Sequence, residues 1–172
     1  MEAISDLLIG LNLGTIVNAY DWVWPVCEIF HFIGMALLFG SVGMLDLRLL
    51  GFAKGIPIAS LERFVPIGVV GFVLNAVTGF VFVAGNPIGG PIVYLENLAF
   101  QLKMGLVLLA GVNLLAFHLT GISRATDALA ADGDAAPAAK AVAAFSLVLW
   151  LGVIVFGRLI MYNDTLLLAL GL

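Results

Sequence analysis

The sequence predicts an all-α integral membrane protein, a four-helix bundle preceded by a short helix lying in the interface. Three observations predict it. Four apolar runs are each long enough to cross a hydrocarbon core of about 30 Å, and short polar or Gly/Pro-rich segments separate them. Of the 172 residues, 63% are hydrophobic and 10% charged, whereas a soluble domain carries roughly a quarter of its residues charged. The loop cations alternate from one side to the other. Arg48, Lys54 and Arg63 lie between the first two runs and Arg124 and Lys140 between the last two, with no Lys or Arg in the remaining connections.

Residues 4–17 place Ile4, Leu7, Leu8 and Leu11 on one helical stripe among Ser5, Asp6 and Asn12. That spacing reads as an interfacial helix too short to span. The first span, about 22–46, opens on Trp22, Trp24 and Pro25, an aromatic belt with proline in a first helical turn, and fades near Asp46 and Arg48. The second span covers about 64–85, with Pro66 in its first turn, where a missing N–H does little harm. Asn86 to Pro91 is a turn-rich connector to a third span at about 97–119. The Ala, Gly, Asp and Pro content of 125–140 reads as a mobile loop, Pro137 starts the fourth span at about 138–162, and the apolar tail lies on the membrane or on the bundle. No repeat is evident, and the whole chain reads as one domain.

The positive-inside rule puts both termini on the non-cytoplasmic side of a bacterial inner membrane. The formal net charge of −4, without a basic stripe, excludes nucleic acid as a partner. Cys27 is the single cysteine, so no intrachain disulfide forms. Glu2 and Asp6 stand where a cleaved signal peptide carries basic residues, which argues against one.

Ionisable groups inside a bilayer are costly and mark sites, so their depth matters. With spans one and three running inward, His31 lies roughly 13 Å deep, Lys103 roughly 9 Å and Arg158 roughly 6 Å at 1.5 Å per residue. Together with Glu28 and Gln101 they form an outer polar layer. His118 lies roughly 31 Å down, level with Asp46 and Arg48 in an inner layer. A haem cannot therefore take both histidines of one subunit.

Glu28 and His31, at i and i+3, share a helix face, and Cys27, His31 and Met35 share an overlapping one. A di-iron centre needs further Glu-x-x-His units that the chain lacks. The Cys, His, Met stripe suits Cu(I), a lesser reading than packing. Haem b is the cofactor the arrangement brings forward. His31 is the first metal ligand and His118 the second, with Lys103, Arg158, Glu28 and Arg48 completing the cofactor-binding set. Glycines 34, 40, 68, 71, 79 and 105 either leave room for a macrocycle or let helices pack closely. Without a cofactor, the same charged groups satisfy one another as an ionic cluster, or relay protons with Asp46 and His118 at the inner end.

The runs E-x-x-H-F-I-G-M-A-L-L-F-G, D-L-R-L-L-G, A-F-Q-L-K, N-L-L-A-F-H and G-R-L-I-M-Y together resemble a bacterial family of small membrane proteins classed as a domain of unknown function. The resemblance covers nearly the whole chain and implies a four-helix membrane domain with Glu28, His31, Asp46, Arg48, Lys103, His118 and Arg158 at matching positions. A looser likeness joins it to copper-resistance membrane domains and b561-type cytochromes, whose paired haem histidines this sequence lacks. The expectation is a haem-binding redox or electron-transfer subunit in the bilayer, either a homo-oligomer or part of a larger membrane complex. The alternatives are a proton or small-ion conduit and a non-catalytic assembly subunit.

Overall fold

The computed structural model describes residues 1–127, 129 and 132–171, with the Asp127 side chain left aside. The chain is an all-α bundle. Its long helices are α3 (Val23–Leu49), α5 (Val65–Ala84), α7 (Leu98–Leu119) and α9 (Pro137–Leu159), and each is long and apolar enough to cross a membrane. Before them come α1 (Glu2–Ile9) and α2 (Leu13–Ala19); between and after them lie α4 (Ile58–Glu62), α6 (Ile92–Leu95), α8 (Ile122–Asp127) and α10 (Asn163–Leu170).

The single interfacial helix expected over 4–17 is two helices. Asn12 sits at φ 59°, the left-handed region that asparagine enters more readily than most side chains, and there the chain turns from α1 into α2. The residues turned inward are not the predicted stripe: Ser5 and Val17 are buried where α1 and α2 lie against α5, while Ile4, Leu7 and Leu11 are exposed.

Glycine decides how the first pair of long helices packs. A Cβ at Gly34 would stand 2.6 Å from Asn75 Nδ2 and 2.8 Å from Gly71 O, and one at Gly71 would stand 2.6 Å from Gly34 O. Backbones approach this closely only where neither helix carries a side chain. Gly68 continues the seam, with Ser41 Cβ 3.1 Å from where its own Cβ would be. Gly34, Gly68 and Gly71 therefore serve α3–α5 packing.

The second pair is tied by polar side chains. Asn97 caps α7 by accepting from Phe100 N at 3.0 Å and donates to Ile160 O at 2.9 Å, while Asn113 donates to Val142 O at 3.2 Å. The pairs join where α3 meets α9, through Gly43 against Leu147, a hydrogen bond between Asp46 and Ser146, and a core of Leu49, Ile58, Ala135, Ala139 and Ala143.

The two ends of the bundle differ in character: one carries Trp22 and Trp24, the other Arg48, Lys54, Arg63, Arg124 and Lys140. At the basic end the 132–136 segment is fastened and not loose, which corrects part of the expected mobile loop. Asp132 N donates to Lys54 O at 3.0 Å, and Asp134 takes Lys54 and Lys140 at 2.8 Å each. Residues 128, 130 and 131 of that loop lie outside the described residues.

Candidate functional site

His31 sits on the α3 face that packs against α5. Its Nδ1 is 2.8 Å from Thr78 Oγ1, and Thr78 Oγ1 is 2.6 Å from Leu74 O, one turn earlier in α5. A carbonyl can only accept, so the Thr78 proton goes to Leu74, and the hydroxyl lone pair receives the proton of His31 Nδ1. This assigns the tautomer. Nε2 carries the lone pair, the state in which imidazole binds a metal or accepts a proton.

Around the ring, Phe82 lies 5.3 Å away centroid to centroid and in turn packs on Trp24 at 5.0 Å. A Cβ at Gly79 would stand 3.7 Å from His31 Cε1, ordinary contact distance, so the ring packs against α5 at this glycine. From α7 comes Lys103, whose stem lies over Gly157 of α9, with Nζ 3.5 Å from where a Cβ would be. Its charge reaches His31 electrostatically across the two pairs. The polar groups at this level are thus the His31 imidazole, set by Thr78 of α5, and the Lys103 ammonium, whose stem lies over Gly157 of α9.

The four-residue ionic cluster expected at this level does not form. Among the described residues no ion pair joins Glu28, His31, Lys103 and Arg158. Glu28 is exposed and accepts from Trp24 Nε1 at 3.1 Å, one turn back on its own helix. It still acts on the connector: burial chiefly, and the Glu28 charge next, push the Tyr94 hydroxyl above its ordinary pKa. Arg158 is exposed, stacks over Tyr162 at 5.4 Å and donates to its hydroxyl at 3.4 Å. Gln101 donates to Leu95 O at 2.8 Å, a local tie at the start of α7.

Geometry keeps His118 apart from His31, as their depths predict, and corrects the place of Arg48. His118 lies at the far end of α7, exposed, with Nδ1 2.9 Å from Leu114 O of its own helix. It belongs to no centre that includes His31. Arg48 is 1% exposed and is a structural clamp. Its Nε donates to Ile56 O at 2.8 Å and both terminal nitrogens reach Gly133 O at 3.3 Å, which leaves it turned toward the loops and not toward a cofactor. Among the described residues no group of three His, Cys, Asp or Glu side chains could hold a metal ion.

A hollow of about 460 Å³ at the tryptophan end is lined by Glu96, Asn97, Tyr162, Asn163 and Asp164 among others, but neither His31 nor Lys103 enters it. In the sequence Thr78 is one hydroxyl within an apolar run. It is 47 positions from His31, and no local spacing links the two. No family model, curated protein or solved structure matches the chain.

Proposed function

We propose that the protein is a redox-active subunit of a bacterial inner membrane, with both termini outside the cytoplasm, that binds haem b through Nε2 of His31. The observation that carries this reading is the His31–Thr78–Leu74 chain. Metal-binding histidines characteristically donate the N–H of their second ring nitrogen to a neighbouring acceptor, which fixes the ring and raises its basicity as a ligand. The donors present suit the group. His31 would hold the iron through Nε2, and Lys103, whose charge acts on His31, would meet a propionate. Haem would supply one-electron transfer at this level of the bundle.

Among the described residues, neither Met35 nor His118 is placed to join His31 as a second ligand. Met35 is one turn along the same helix as His31, and His118 is at the other end of α7. Within one chain His31 would be the ligand that holds the haem, and any second ligand would come from a partner subunit. Absorption spectroscopy of the detergent-purified protein, titrated with haem, tests the reading. A saturable Soret band that is lost in His31→Ala supports it. Protein that stays colourless with haem in excess, or a band indifferent to His31→Ala, refutes it.

A further inference from the structure

The strongest unexplained group in the molecule is Asp46, at the opposite end of α3 from His31. It is 6% exposed, lies within a helix of membrane-spanning length and is hydrogen-bonded to Ser146 of α9. Its Oδ2 is buried and has no hydrogen-bond partner, alone in this among the buried side-chain polar atoms of the described residues. A buried carboxylate oxygen without a donor marks a site at which something else binds.

Each neighbouring element can be asked for a neutralising cation. On α3 itself, Arg48 is only two residues on, yet its guanidinium is turned to Ile56 O and Gly133 O and makes no ion pair with Asp46. From α9 come the Ser146 hydroxyl and, nearer the helix start, Lys140, which is held by Asp134. Helix α5 has no ionisable residue, and α4 carries one, Glu62, an anion. Ser41, the other buried hydroxyl on this part of α3, lies on the α5 side against Gly68. Among the described residues the surroundings thus offer Asp46 one hydroxyl and no ion pair.

We infer that Asp46 is a proton-binding site, with Oδ2 the atom protonated and Ser146 holding the carboxyl in place. A proton neutralises the group with a single bond, whereas a sodium ion would require a shell of oxygens that the named neighbours do not supply. The site is separate from the His31 centre. The two are fifteen residues apart on α3, roughly 22 Å at helical rise, and the inference stands whether or not haem binds.

The test is pH-difference infrared spectroscopy of the whole protein in liposomes without haem. A protonated-carboxyl C=O band that titrates reversibly, shifts in D₂O, is absent in Asp46→Asn and persists in Asp164→Asn is the expected result. Ser146→Ala, which keeps the carboxyl, should move that band and its midpoint, and it serves if Asp46→Asn does not fold. The inference is overturned by the absence of any band sensitive to Asp46 or Ser146 across the titration, by a band that never ionises, or by one that sodium suppresses at constant pH.

Discussion

Thr78 accepts a hydrogen bond from His31 Nδ1–H and donates its own to Leu74 O, so a hydroxyl on one helix sets which nitrogen is open on another. The prediction follows from removing only that hydroxyl. Thr78→Val keeps the shape and loses the acceptor, which frees the ring to rotate and change tautomer. Second-sphere losses of this kind cost about 10- to 100-fold in metal affinity. Haem titration of Thr78→Val should show a weakening in that range and Thr78→Ser should restore most of it; equal affinity in all three proteins would separate Thr78 from the centre.

The α3–α5 seam makes a second prediction. A Cβ at Gly71 meets backbone atoms, Gly34 O at 2.6 Å and Leu38 N at 2.7 Å, and backbone cannot swing aside as a side-chain end does. Gly71→Ala should therefore force the helices apart, at a cost of about 1–3 kcal/mol as for other overpacked sites. Gly105 has nothing within 4 Å of its Cβ position. Gly105→Ala should be neutral or stabilising by up to about 1 kcal/mol through helix propensity. Thermal unfolding in a single detergent compares the two, and equal midpoints would contradict the close approach.

Arg48 gives the third. The charge-assisted bonds to Ile56 O and Gly133 O tie the end of α3 to both loops at the basic end, from a position 1% exposed. Hydrogen bonds from a charged group contribute about 1.5–3 kcal/mol each. Arg48→Ala should lower stability by at least about 3 kcal/mol, and Arg48→Lys should recover little, since a point charge cannot span two carbonyls in different loops. Limited proteolysis between 132 and 136 is the local readout, and cleavage should appear in both variants and not in the parent.

These sites also show what the sequence makes legible. Four long helices follow from run length and composition, because a bilayer-scale apolar stretch has few other uses. His31 and Lys103 stand out for the same reason, as charges or proton carriers where hydrocarbon is expected. What the sequence does not carry is the rotational setting of one helix against another. Glu28 and His31 share a face by spacing, yet Glu28 turns back to Trp24 and His31 turns to Thr78. Arg48 was placed in the cofactor set by its depth, but two loop carbonyls claim it, and those loops take shape only after the helices have packed. The ambiguity of the glycines is likewise resolved pairwise, since Gly34 and Gly71 have meaning only once they face each other.

Asp134 makes the last prediction, one of pH. Hydrogen bonds first from Lys140 and then from Lys54, with the charges of both, hold its carboxyl at about 2, below the ordinary value of 3.8. A carboxyl whose folded pKa is depressed adds stability that is complete above its unfolded pKa and is lost as pH falls through the folded one. The contribution should therefore be constant above about pH 4 and vanish progressively toward about pH 2. Asp134 and Lys54 are each about half exposed, so salt should weaken the effect and its size should be small. Hydrogen exchange of the Asp132 amide, which is bonded to Lys54 O, reads the clamp directly. Protection should fall on acidification across that window in the parent and be low and pH-independent in Asp134→Asn. Unchanged protection down to pH 2 would show that the Asp132–Lys54 backbone bond holds the two loops without the carboxylate.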